Sequence, residues 1–133
     1  MKDLTSLNQP GFNKFATLLG IKYTSIEDGR ATGEIAINEN HFHPGKIAHG
    51  GVAYSLADST MAMAVLSTCR SGENASTVEC KMSYMSPVTK GVMKAESWIV
   101  KRGRRIAFLE SKVTVDEKLI ATATATFAII EST

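Results

Sequence analysis

The chain has 133 residues, of which 44% are hydrophobic and 21% charged, and its formal net charge is +2. This length and composition suit one globular domain with a buried core, and they exclude a disordered chain. The small net charge gives no reason to expect a nucleic-acid partner. The absence of both a secretory signal and an apolar run of roughly 18 residues predicts a cytoplasmic protein without a membrane partner.

The first predicted elements are a short helix and an antiparallel hairpin. Apolar residues recur at helical spacing over 12–19, and Gly20 follows as a C-cap, so this segment predicts a short amphipathic helix. Strands are predicted over 21–26 and 31–37, and the Asp28-Gly29 pair between them is typical of a hairpin turn.

A loop, a long helix and four strands make up the rest of the chain. The loop over 38–51 is polar and glycine-rich and contains all three histidines. Residues 52–68 are mostly small and apolar, without Gly or Pro, and the apolar residues fall almost all round a helix, which is typical of a buried one. Short turns then separate four predicted antiparallel strands, over 76–85, 91–101, 105–116 and 119–130.

This order of elements predicts the fold. A helix that is apolar all round needs a sheet wrapped about it, so we predict an α+β hotdog fold, in which a six-stranded antiparallel sheet wraps around one long central helix. The predicted organisation is a single domain over 1–133, with an N-terminal helix appended within 1–19. An α+β sandwich, with the helix lying on an open sheet, is the alternative.

Asp58 is the most informative residue of the predicted helix. It lies mid-helix on an apolar stripe, and no lysine or arginine is within a full turn. A buried carboxylate without a partner is costly, so something must compensate it. Two interpretations stay open: a structural Asp58 bonded to a nearby hydroxyl such as that of Ser55 or Thr60, or a carboxylate that lines a pocket and acts as base or nucleophile. Its neighbours on the stripe are Tyr54, Met61, Ala62 and Val65.

The segment His49-Gly50-Gly51 directly precedes this helix. Free N–H groups and positive partial charge at a helix N-terminus can polarise a carbonyl, and glycines let a ligand approach the backbone closely. The eight residues from Gly50 to Asp58 span about 12 Å along the helix axis, which is too far for one side chain to bridge. The distance favours a site in which Asp58 meets the helix terminus of a second subunit.

Three blocks of sequence resemble the hotdog thioesterases of the PaaI (phenylacetate pathway) type. Residues 49–58 resemble the HGG-x(6)-D signature of that family, residues 77–87 resemble its second block, which ends in Tyr-x-x-Pro, and residues 101–108 resemble its third. The blocks occur in the order and at the spacing of the family, and the resemblance covers about residues 20–130.

The resemblance implies an acyl-CoA thioesterase and a role for each matched residue. The Gly50 N–H would polarise the thioester carbonyl, and Asp58 of the partner subunit would be nucleophile or general base. Thr77 would orient the attacking water. The remaining implied site residues are His49 near the leaving sulfur, Gly51 and Tyr84 against the substrate, and Lys101, Arg104 and Arg105 on the CoA phosphates, with the two arginines as the preferred pair.

One position departs from the family pattern. Many of these enzymes have Asn or Gln six residues before the His of HGG, where this chain has His43. Histidine donates one hydrogen bond but also titrates near neutrality, so we predict either an added pH dependence or a different substrate. His43 is therefore included among the candidate catalytic residues.

Other functions fit parts of the sequence. The three histidines, His41, His43 and His49, would suit a zinc site, but the HGG motif accounts for His49 without metal, so we expect neither a metal nor a cofactor. A hotdog hydratase or dehydratase would need an acid where this chain has Leu56. A non-catalytic acyl-CoA-binding module is the third alternative.

The expected assembly is a homodimer or a dimer of dimers. The acyl group of the substrate stays open between aromatic groups and short-to-medium aliphatic chains.

Overall fold

The computed structural model describes residues 3–131. Its helices are α1 (Leu4–Leu7), α2 (Lys14–Leu19) and α3 (Gly50–Leu66), with one 3-10 turn at Glu39–His41. Its strands are β1 (Lys22–Glu27), β2 (Arg30–Ala36), β3 (Glu73–Tyr84), β4 (Val92–Arg102), β5 (Ile106–Val115) and β6 (Lys118–Glu131). No helix of these residues combines the length and the apolar character that crossing a bilayer would require.

The six strands form one antiparallel sheet in the order β1-β2-β4-β5-β6-β3, and α3 packs against one of its faces. This is the predicted hotdog fold. Alternation along the strands places the core on the helix side; β6, for example, buries Ala121, Ala123, Ala125 and Phe127 there. The strand β3 lies at one edge of the sheet and pairs only with β6, so its other edge is open.

The burial of α3 differs between its two faces. The face toward the sheet is buried, as predicted, and it includes Leu56, Ala57, Met61 and Ala64. The opposite face is half-exposed, because the sheet of one chain covers only one side of the helix. The prediction of a helix buried on all sides is therefore wrong for the single chain.

A bulge in β3 decides which of its side chains face α3. Thr77 pairs with Phe127 and Glu79 pairs with Thr126, so Val78 is an extra residue between them. Because Phe127 is buried on the helix side, Thr77 faces α3 before the bulge, and Cys80 faces it after the bulge. Without the extra residue, Thr77 would point to the outer face of the sheet.

The N-terminal helix predicted over 12–19 begins later and packs differently. It starts at Lys14 after an Asn13 cap and ends at Gly20, whose φ of 83° requires the left-handed region. Of the apolar residues that gave the predicted helical spacing, Phe15 and Leu18 are exposed, and only Ala16 of the observed helix is buried. The preceding segment is tied to the sheet instead by the Asn8 side chain, which bonds the Tyr23 backbone.

Candidate active site

The beginning of α3 presents one free N–H group. His49 is the N-cap, and its Nδ1 accepts a hydrogen bond of 2.8 Å from the Gly51 N–H. The Val52 N–H is bonded to the His49 carbonyl. The Gly50 N–H has no acceptor in residues 3–131 and therefore remains available at the positive end of the helix dipole. Gly50 therefore fits the donor role predicted for it, whereas the Gly51 N–H is already bonded to the His49 ring.

Tyr84 stands against Gly50 at the end of β3. Its hydroxyl donates a 2.7 Å hydrogen bond to the Gly50 carbonyl. A Cβ added to Gly50 would lie 3.2–3.3 Å from atoms of the tyrosine side chain, which is tighter than ordinary contact. Burial, and next the nearby Cys80, raise the pKa of Tyr84, so its hydroxyl stays a proton donor at neutral pH.

His43 lies beside His49 at the same end of α3. The two rings meet edge to face, with centroids 6.4 Å apart and planes at 78°. The Nδ1 of His43 accepts from the Gly45 N–H at 2.8 Å, as that of His49 does from Gly51. With Nδ1 an acceptor, each neutral ring carries its proton on Nε2 and can donate from that atom.

His41 is placed differently from the other two histidines. It is buried, its Nδ1 accepts from the Asn38 N–H, and its Nε2 donates to the Leu19 carbonyl. Both ring nitrogens are thus engaged in joining the loop to the end of α2. Across residues 3–131, no three His, Cys, Asp or Glu side chains are grouped so that they could hold a metal ion.

A cavity of about 370 Å³ opens beside Gly50 and the two imidazoles. It lies between the loop that precedes α3 and the β3–β4 connection, and it reaches the core residues Met93 and Ile120. Its walls are mostly apolar. The cavity was not predicted, because its walls come from four separate segments of sequence.

Asp58 has its partner on β3. The Thr77 hydroxyl donates a 2.8 Å hydrogen bond to Asp58 Oδ1. Thr60 was one of the hydroxyl residues that could have bonded a structural Asp58, but its hydroxyl donates to the Leu56 carbonyl at 2.6 Å instead. No lysine or arginine of the described chain forms an ion pair with Asp58, which is half-buried. The carboxylate is therefore oriented by one hydroxyl and keeps acceptor capacity for a ligand or water.

Residues four apart on α3 form hydrogen bonds with residues spaced along β3. Between the Gly50–Tyr84 and Asp58–Thr77 contacts, the Tyr54 hydroxyl bonds the Cys80 carbonyl at 3.3 Å. The sequence predicts Tyr54 on the same stripe of the helix as Asp58 but does not predict this contact. The spacing of Tyr54, four residues from Gly50 and four from Asp58, is the signal that could have indicated it. Burial, and next the charge of Asp58, raise the pKa of the Cys80 thiol, so this cysteine stays protonated.

The residues predicted to bind the CoA phosphates lie at the opposite end of α3. Arg104 and Arg105 line a cleft of about 540 Å³. Their turn is held to this end of the helix by Arg102, which donates to the Thr68 hydroxyl at 2.8 Å. A helix of 17 residues is about 25 Å long, so one chain does not bring the arginines to its own Gly50. Lys101 is exposed nearby on β4.

The family model of the thioesterase superfamily matches residues 45–124, more than half of the chain. The chain belongs to the thioesterase superfamily. The matched region includes Gly50, Asp58 and Thr77, as well as the turn with Arg104 and Arg105. His43 lies just before it.

Relatives of this chain include proteins named as thioesterases. Acyl-coenzyme A thioesterase 13 of Homo sapiens is 32% identical over 111 residues, which cover 80% of this chain and 79% of that protein. The proofreading thioesterase EntH of Klebsiella pneumoniae is 29% identical over 115 residues, which cover 86% of this chain and 83% of that protein. A variant of the phenylacetic acid degradation protein PaaI of Thermus thermophilus superposes with a TM-score of 0.81 at 30% identity, covering 87% and 98% of the two chains.

These similarities confirm the resemblance inferred from the three sequence blocks. The chain is a hotdog-type thioesterase, and its class of reaction is thioester hydrolysis. Leu56, where a hydratase would need its acid, is fully buried in the core, which speaks against that alternative.

Proposed function

We propose that the chain hydrolyses acyl-CoA thioesters to a free acid and CoA, in a site that two copies of the chain share. The observation that carries the proposal is the Gly50 N–H at the start of α3, free to bind, beside a cavity. The similarity to a protein named acyl-coenzyme A thioesterase 13 supports CoA as the thiol. Neither a metal nor a cofactor takes part in the proposed reaction.

The Gly50 N–H stabilises the charge that develops on the thioester oxygen. Attack on the carbonyl carbon makes a tetrahedral oxyanion, and a fixed donor at a helix N-terminus stabilises that charge more than the neutral ground state. The Nε2–H groups of His43 and His49 lie at the same end of α3 and serve as further donors, to the oxyanion and to the leaving sulfur respectively.

The carboxylate for this site comes from the second copy. Within one chain, Asp58 lies about 12 Å along the axis from Gly50. It lies on the flank of α3 that faces β3, whose open edge is free to pair with another strand. Antiparallel pairing of β3 with the β3 of a second copy, around a two-fold axis, sets the two α3 helices side by side in opposite directions. Asp58 of the partner subunit then approaches Gly50.

Asp58 activates a water molecule as general base or attacks the carbonyl carbon itself. In either role it needs a fixed orientation and a free lone pair, and the Thr77 hydroxyl supplies the orientation by donating to Oδ1. The same antiparallel arrangement brings the far end of the partner's helix toward the mouth of the site. Arg104 and Arg105 of the partner subunit would therefore meet the CoA phosphates.

The proposed phosphate contact predicts a selective rise in KM. The double variant Arg104→Glu, Arg105→Glu should raise KM for a CoA ester by about tenfold to a hundredfold, because two charge-assisted contacts become repulsive. KM for the corresponding pantetheine ester, which lacks the nucleotide phosphates, should change less than about threefold. Lys94→Glu, an exposed cation on β4 outside the cleft, is the control. Equal effects on both esters would exclude the contact.

The function itself is tested by a matched pair of variants at Gly50. Proline is well tolerated as the first residue of a helix and removes the N–H, and the extended His49 backbone, with ψ of 139°, suits a residue that precedes proline. Gly50→Ala adds a Cβ against Tyr84 but keeps the N–H. Thiol release from a panel of acyl-CoA esters should fall about 10²–10³-fold in kcat for Gly50→Pro, and much less for Gly50→Ala. Equal losses would mean that crowding, and not the donor, matters.

A further inference from the structure

The cavity beside Gly50 has an apolar, buried floor. Polar and apolar side chains, among them His49 and Met85, line its more exposed part. The floor consists of core side chains that are at most 6% exposed: Ala53, Val88, Met93 and Ile120. The floor therefore carries no polar side chain, unlike the more exposed part of the lining.

The backbone groups around the floor are already paired. The Ile120 carbonyl accepts from the Met85 and Ser86 N–H groups, at 2.8 and 3.3 Å. The Val88 carbonyl accepts from the Ala48 N–H at 2.8 Å. A polar ligand group at the floor would find few free partners, and an unpaired buried polar group is costly.

This apolar floor decides which part of the substrate the cavity suits. The pantetheine arm carries amide groups that need hydrogen-bond partners along their length, which the floor does not offer. The proposed phosphate contacts are made by arginines of the partner subunit, and Arg104 and Arg105 are not among the residues that line this cavity. The acyl group is the part of the ester that can lose its water without leaving a polar group unpaired.

We infer that this cavity holds the acyl group, and that Met93 and Ile120 at its floor set the largest acyl group that the enzyme accepts. The inference rests on the proposed function, because it takes the thioester carbonyl to lie at the Gly50 N–H. The volume of about 370 Å³ is near the lower end of the range for ligand sites, which suits a short-to-medium aliphatic chain or a single ring. The preferred substrates are acyl-CoA esters whose distal end is uncharged and apolar.

The first measurement is kcat/KM for straight-chain acyl-CoA esters of increasing length, with terminally hydroxylated and terminally carboxylated analogues of the best one. We expect an optimum with a sharp fall beyond it, a loss of about ten- to a hundredfold for the hydroxyl and a larger loss for the carboxylate. An optimal ester that tolerates the terminal carboxylate would overturn the inference.

The second measurement repeats the series of ester lengths on Met93→Ala. This substitution removes three heavy atoms from the floor and so deepens the cavity. Activity on esters just longer than the wild-type optimum should rise about tenfold relative to the optimal ester. Leu109→Ala is the matched control, because it also removes three heavy atoms from a core residue that is 1% exposed, but outside the cavity. Its length profile should equal that of the wild type.

A third variant guards against poor folding of Met93→Ala. Ala48 lies half-buried on the cavity wall, so Ala48→Leu narrows the space from the loop side without opening the core. It should lower activity on the longest accepted esters about tenfold and spare the shortest. If Ala48→Leu and folded Met93→Ala both turn over esters with the wild-type dependence on acyl length, the inference about the acyl cavity is overturned, while the proposed function stands. If the wild type releases no thiol from any ester, the proposed function fails as well.

Discussion

Asp58→Asn should lower kcat for acyl-CoA hydrolysis by about 10²–10⁴-fold, the usual contribution of a positioned base. The amide oxygen can still accept the Thr77 hydrogen bond, so the geometry at Oδ1 is kept while basicity and nucleophilicity are lost. KM should change little, because the carboxylate acts on the water or the carbonyl carbon and not on the CoA moiety. Steady-state thiol release, with circular dichroism to confirm folding, measures the effect.

Variants at Thr77 separate orientation from chemistry. Thr77→Ser keeps the hydroxyl and should retain most of the activity, whereas Thr77→Val removes it at almost constant shape and should lower kcat about tenfold. Asp58→Ala checks that the loss of kcat in Asp58→Asn comes from removing the carboxylate and not from the new side-chain amide. If Asp58→Asn kept kcat within about threefold of the wild type, Asp58 would be a structural carboxylate, and the free Gly50 N–H would need a different partner in catalysis.

The fold could be predicted because each element shows its own periodicity. The helix over 52–68 differs from the observed α3, Gly50–Leu66, by two residues at each end, and all six strands were expected in order. The bulge at Val78 could not be predicted, because no glycine or break in composition marks it. The exposure of Phe15 and Leu18 could not be predicted either, because helical spacing reveals an apolar face but not what covers it.

The residues of the candidate site were predicted one group at a time, and within one chain these groups lie apart from one another. Gly50 and Asp58 were identified by the helix terminus and by a carboxylate among apolar neighbours, and the structure gives each a defined environment. It also shows that Arg104 lies at the far end of the helix, which no spacing along the chain could reveal. The open edge of β3 is the structural feature through which we propose that two chains bring these residues together.

A shared site makes a prediction that a site within one chain cannot make. Gly50→Pro and Asp58→Asn should each leave a nearly inactive enzyme. In a heterodimer of the two variants, one site combines the intact Gly50 of one chain with the intact Asp58 of the other, and the second site carries both defects. The purified heterodimer should therefore show about half of the wild-type kcat per dimer, since one of two symmetry-related sites is whole.

The measurement uses co-expression of the two variants with different affinity tags and sequential purification on both. Each parent purified alone is the matched control, and the same pair of tags on two wild-type chains gives the reference activity. The expected recovery, from below about 1% to about half, is too large to arise from stability alone, because both substitutions are still present. A heterodimer no more active than its better parent would place Gly50 and Asp58 in separate functions. Recovery would show that the 12 Å separating them along one helix is spanned by the second chain.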